Sequence, residues 1–126
     1  MNSKITAIAS FYIFTAILLG AFGAHGIKDF VTEGLIVTFN KGVTYLMYSG
    51  LGLLVLGIND SKFKFSLSWN YRLIVSGSLL FSINIFIYTF HENVPVLKNF
   101  VHIVPIGGLL MIIGWGLLGI KLLREK

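Results

Sequence analysis

Hydrophobic and polar positions fall in long blocks along this chain. After Lys4, a run from Ile5 to Ala24 holds no charged residue. Its roughly 20 residues match what a helix rising 1.5 Å per residue needs to cross about 30 Å of hydrocarbon. A second run covers 42–58 between Lys41 and Asp60, a third 73–90 and a fourth about 103–120, before the basic stretch Lys121 to Lys126. Between the first and second runs the pattern shortens. Ile27, Phe30, Val31, Leu35 and Phe39 keep helical spacing on one side, while Lys28, Asp29, Glu33 and Asn40 fall elsewhere. Charge is too dense there for a span. The pattern predicts an all-α, polytopic membrane protein: a single domain over 1–126 with transmembrane helices at about 5–24, 42–58, 73–90 and 103–120. A short interfacial amphipathic helix is expected over about 27–39, an extended loop being the alternative.

The stretch Gly20 to Lys28 is the corner where the first span meets water. A cleaved signal peptide is the rival reading of the first run, with Ala21 and Gly23 at the −3 and −1 positions of the cut. Signal h-regions span about 7–15 residues, and this run is longer. Ala16, Gly20 and Ala24 recur every fourth residue, a spacing that lets two membrane helices approach closely. Tyr45 and Tyr48 open the second span as boundary anchors, and Gly50, Gly52 and Gly57 supply packing points. Asn59 to Arg72 reads as a water-exposed connection, and His91 to Asn99 as a further loop.

Composition supports lipid as the solvent. The 126 residues are 56% hydrophobic and 12% charged, with a mean hydropathy of +0.85, whereas soluble domains are about 25% charged. Cysteine is absent, which excludes disulfides, thiolate metal sites and cysteine nucleophiles. The net charge of +5 would suggest nucleic acid for a soluble protein. Here the basic residues lie between and after apolar runs, so they set membrane orientation instead and no nucleic acid partner is expected. Lys4, Lys62, Lys64, Arg72, Lys121, Arg124 and Lys126 share one side of a four-span topology, against Lys28, Lys41 and Lys98 on the other. That bias places both termini and the middle loop in the cytoplasm.

Candidate chemistry is sparse. His25, His91 and His102 fall near the outer side with Glu92, but on separate segments without the i, i+4 spacing of a local zinc motif. No metal and no cofactor is expected. Asn84 is the most polar group inside a span, and its amide should face other helices, pairing with a residue such as Ser49 or Tyr45. Ser76, Ser78 and Ser82 can return their hydroxyls to carbonyls of their own helix. Pro105 suits a first helical turn, and Gly107 and Gly108 permit close approach of a neighbour, with the corner at Gly23 as the expected partner. Trp115, deep in the fourth span, is expected to fill the bundle. Nucleophile elbows, zinc-protease motifs, phosphate loops and dinucleotide fingerprints are all missing. All five acidic residues lie outside the spans.

The corner Gly20-Ala21-Phe22-Gly23-Ala24-His25-Gly26, then Tyr45, Pro105-Ile106-Gly107-Gly108 and Gly114-Trp115, resemble the YgdD-like membrane proteins and their eukaryotic transmembrane-protein-256 relatives. The resemblance spans nearly the whole chain. It implies four transmembrane helices in a bacterial inner membrane and no established activity. Two departures stand out. The family's second-span histidine, shortly after the tyrosine, is Ser49 here, and its Phe-Ser-Gly-Ser-Leu-Tyr is Phe81-Ser82-Ile83-Asn84-Ile85-Phe86. The expectation is a multi-pass inner-membrane protein acting as a non-enzymatic structural, accessory or assembly partner. Its expected contacts are membrane lipids, other membrane proteins or further copies of itself. The alternative is a small-solute or ion channel or transporter with a path near Asn84.

Reporter fusions test the orientation. Fusions at both ends should report cytoplasm and one within His91 to Asn99 periplasm; a C-terminal reporter active only in the periplasm overturns the charge-based assignment.

Overall fold

A computed structural model describes residues 1–125. Four helices follow in order: α1 (Ser3–His25), α2 (Glu33–Ile58), α3 (Ser68–Thr89) and α4 (Val104–Arg124). Two 3₁₀ segments, Asp60–Lys62 and Pro95–His102, lie in the connections. No described residue is in a strand, and all four helices are long and apolar enough to cross a membrane.

Local chemistry sets the ends. The Asn2 side chain caps α1 by accepting from the Ile5 amide at 3.1 Å. At the far end the Gly26 amide closes onto the Phe22 carbonyl. A Cβ on Gly26 would lie 2.5 Å from the Phe22 ring, so glycine lets that ring lie over the corner. Pro105 sits in the first turn of α4, where a missing N–H leaves no helical bond unmade.

The segment 27–39 is not a separate interfacial helix. It divides into a turn, in which Ile27 and Val31 are buried, and the opening turns of α2, in which Leu35 and Phe39 are buried. The reason is periodicity. Leu35, Phe39, Gly42, Leu46, Ser49 and Leu53 form one continuous seam, and charges at Glu33 and Lys41 on its other faces do not break a helix. At 1.5 Å per residue, the 26 residues of α2 extend about 39 Å. That exceeds the hydrocarbon core, so its first turns project into the polar boundary. Similarly, the polar connection expected to run to Arg72 ends sooner. α3 begins at Ser68, and Asn70 and Tyr71 are already buried.

Each pair of neighbours packs through a glycine. α1 buries Ile5, Ala9, Tyr12, Ala16 and Gly23, a three-and-four alternation that suits shallow antiparallel crossing. Against it, Gly57 faces Thr6, Gly50 faces Ala9 and Tyr12, and Phe39 covers Gly23. The stripe Ala16, Gly20, Ala24 follows this seam only in part, being buried, half-buried and exposed in turn. A strict four-residue step rotates about 40° off the seam each time. Between α2 and α3, Gly42 meets Ile85 and Phe86. The α3–α4 seam is the tightest. A Cβ on Gly107 would lie 2.6 Å from the Gly77 carbonyl oxygen and 2.9 Å from the Leu80 carbonyl carbon. Gly107 therefore faces α3, and not the corner at Gly23. Trp115 lies over Gly52, joining α4 to α2.

These distances separate two glycines that look alike in sequence. A Cβ on Gly20 would meet only Val43, at an ordinary 3.5 Å. Gly20→Ala should be neutral or stabilising by up to about 1 kcal/mol, through helix propensity. Gly107→Ala presses a methyl into backbone and should cost about 1–3 kcal/mol. Unfolding of both variants in detergent micelles provides the comparison; equal midpoints for the two contradict the seam.

Candidate functional site

Polar side chains inside the bundle define the first candidate region. Asn84 is buried, but its amide nitrogen donates to the Leu80 carbonyl of its own helix at 2.7 Å. It does not bond across the bundle to Ser49 or Tyr45. Ser82 behaves in the opposite way to its expectation. Its hydroxyl crosses to the Gly42 carbonyl on α2 at 2.8 Å. The absence of a Cβ on Gly42 leaves that carbonyl open to a short side chain. Ser49 points its hydroxyl at the Met111 sulfur on α4, 3.6 Å away. Ser76 and Ser78 do return to carbonyls of α3.

Three further groups of polar contacts have no counterpart in the sequence pattern. Tyr12 donates to the Val75 carbonyl at 2.9 Å and lies 3.0 Å from the Ser78 hydroxyl, tying α1 to α3. Asn70 donates to the Gly114 carbonyl at 2.9 Å, and Lys121 donates to Asn70 Oδ1 and to the Ser66 carbonyl, both at 2.8 Å. Tyr71 donates to Asp60 at 2.6 Å. A signal for Asn70 was present: it stands seven residues before Gly77, on the same helical face as Ile74.

Tyr45, Gly108 and Trp115 do come together. With Tyr48, Ser49, Phe81, Met111 and Ile112 they line an apolar cleft of about 470 Å³ between α2, α3 and α4. The Tyr45 ring meets Phe81 edge-on at 5.0 Å and Tyr48 at 6.0 Å. Tyr48 and Ile112 are exposed, so the cleft opens on the outside of the bundle. Gly20, Gly23, His25, Asn84, Pro105 and Gly107 lie elsewhere. The histidines are dispersed: His25 and His102 are exposed, and His91 stacks on Tyr88 with its Nδ1 2.8 Å from the Tyr88 carbonyl. Among the described residues, no three of His, Asp and Glu gather as a metal site would require.

Charge is divided unequally between the two ends. The Asn2 amide bonds the Gly57 carbonyl, and Lys121 reaches Ser66. These contacts gather the starts of α1 and α3 with the finishes of α2 and α4. That end carries Lys4, Lys62, Lys64, Arg72, Lys121 and Arg124 against Asp60 and Glu125. The opposite end balances Lys28, Lys41 and Lys98 against Asp29, Glu33 and Glu92.

Comparison with known proteins places these features in a family. Residues 19–108 match the family described as a protein of unknown function (DUF423). A UPF0382 membrane protein of Staphylococcus epidermidis is 38% identical over 109 residues, covering 86% of each chain. A UPF0382 membrane protein of Staphylococcus aureus is 37% identical over 100 residues, covering 79% of each. One from Staphylococcus saprophyticus is 35% identical over 100 residues, covering 79% of this chain and 80% of its own. No solved structure matches. The matched region contains the Gly20–Gly26 corner, the Ser82–Gly42 contact and the glycine pair at 107 and 108, and the chain belongs to this DUF423 family of small membrane proteins.

Proposed function

We propose that the protein is a non-enzymatic component of the cell membrane, an accessory or assembly partner, with both termini in the cytoplasm. One observation carries the reading: the polar side chains inside the bundle are all paired within the protein. The buried polar side chains are Ser49, Asn70, Ser78, Ser82, Asn84 and Thr89, none of them charged. Among the described residues no buried side-chain nitrogen or oxygen lacks a partner. Most of these partners are backbone carbonyls of the same or a neighbouring helix. An ion or solute path needs polar groups that can exchange partners, and a proton-coupled one needs a group that changes charge within the membrane. Asn84 cannot titrate, and its amide is held by Leu80. The excess of basic residues at the end holding both termini supports the orientation.

Reconstitution separates the readings. Vesicles containing the protein should hold imposed proton and potassium gradients as long as protein-free vesicles do. Extraction from native membranes in mild detergent should yield an assembly of fixed stoichiometry larger than one chain. Asn84→Ala should lower the unfolding midpoint by about 1 kcal/mol or less and change no flux. Saturable uptake abolished by Asn84→Ala, with stability unchanged, would establish the transporter instead.

A further inference from the structure

At the basic end of the bundle, a polar cleft of about 330 Å³ opens beside the start of α3. Its lining joins three parts of the chain: Asn2 and Lys4 from the start of α1, Asp60 after α2, and Ser66, Ser68 and Arg72 around the start of α3. We propose that this cleft binds the phosphate headgroup of an anionic phospholipid.

Four observations support that occupant. Charge is the first. Lys4 and Arg72 outnumber Asp60, so these side chains leave one net positive charge, the complement of a singly charged phosphodiester. Asp60 is moreover occupied, receiving the Tyr71 hydroxyl at 2.6 Å, which directs its charge toward Tyr71.

The second is a surplus of donors. Ser66 Oγ accepts from the Ser68 amide at 3.2 Å, which leaves its hydroxyl proton free to donate. Asn2 uses its side-chain oxygen to cap α1, so its amide group remains available as a donor. Phosphate oxygens are acceptors only, and this lining answers them with hydroxyls, an amide and two cations.

Depth is the third. Trp69 is exposed with the Arg72 guanidinium 5.3 Å from its ring centroid. An exposed tryptophan at a span's end marks the headgroup level, and so the cleft stands where lipid phosphates stand.

Rigidity is the fourth. The walls are fixed by contacts independent of any ligand: the Asn2 amide on the Gly57 carbonyl at 2.8 Å, and Tyr71 on Asp60 and the Leu56 carbonyl. Binding there would not require the helices to rearrange. The assembly role proposed above is not needed for this site, and either can fail alone.

Native mass spectrometry and thermal unfolding of the full chain in detergent test it, with phosphatidylglycerol, phosphatidylcholine of the same acyl chains, and inorganic phosphate as probes. Phosphatidylglycerol should be retained as a single adduct and raise the unfolding midpoint, while phosphatidylcholine does neither. Lys4→Gln and Arg72→Gln should each weaken retention roughly fivefold. The controls Lys28→Gln and Lys98→Gln, at the balanced end, should leave it intact. Both site residues are exposed, and adduct counting reads binding separately from stability. Equal retention of the two lipids, equal loss in the control variants, or full replacement of the lipid by inorganic phosphate at matched concentration overturns the proposal.

Discussion

Backbone carbonyl oxygens, three of them on glycine, are the points on which this bundle closes. Most helix carbonyls already accept one bond, the last four of each helix, Gly57 among them in α2, being free of it. A glycine lets a neighbouring donor come close to the backbone that carries such an oxygen. The Ser82 hydroxyl reaches the Gly42 carbonyl, the Asn70 amide reaches the Gly114 carbonyl and the Asn2 backbone reaches the Gly57 carbonyl. Those three contacts join α2 to α3, α3 to α4 and the start of α1 to the finish of α2. Within a membrane, where lipid tails are as apolar as leucine, burial alone does not bring helices together. Close packing at glycine permits the hydrogen bond, and the hydrogen bond fixes the register.

The magnitudes decide which of the two effects dominates. Interhelical hydrogen bonds in membranes average about 0.6 kcal/mol, so three of them hold little by themselves. Backbone-on-backbone contact, as between Gly77 and Gly107, brings many atom pairs to optimal separation, and each contributes only about 0.1–0.2 kcal/mol. Dispersion therefore supplies most of the attraction, while the polar contacts select one alignment among several that would pack nearly as well. Phe39, wholly buried over Gly23 and 4.9 Å from Phe86, plays the same part at the opposite end without a hydrogen bond.

The four spans were legible because an uncharged run of membrane length has few other interpretations. Helix ends were less so. A charge such as Lys41 looks like a boundary in sequence, yet α2 passes straight through it because its seam residues continue on another face. Asn70 stands near the end of the polar stretch from Asn59 to Arg72, with Lys62 and Lys64, which has the look of a solvent-exposed connection, although its partner is a glycine carbonyl 44 residues away. Side-chain partners are set by tertiary register, which a single sequence does not encode locally. Thus Ser82 and Asn84, two residues apart, each reverse the expectation: Ser82 crosses to α2 and Asn84 folds back on α3. Of the candidate residues, Tyr45, Gly108 and Trp115 share a cleft, which no spacing rule would have assembled.

The contrast between the two ends bears on what such a molecule can do. The buried polar side chains are uncharged, so the charge of the bundle lies toward its surface, and here that surface is polarised. One end holds six described cations against two anions, while the other balances three against three. Two of the cations are tied to neutral or aromatic groups: Lys121 to Asn70, Ser66 and the Phe65 ring, Arg72 to the Trp69 ring. Such pairing fixes their positions without cancelling their charge. The consequence is a basic rim held in place at one end of the bundle, the end that an anionic leaflet would attract. The glycine contacts at Gly57 and Gly114 bring the parts of this rim together, so that in the proposed orientation the rim facing the anionic leaflet is also the one that carries the proposed lipid cleft.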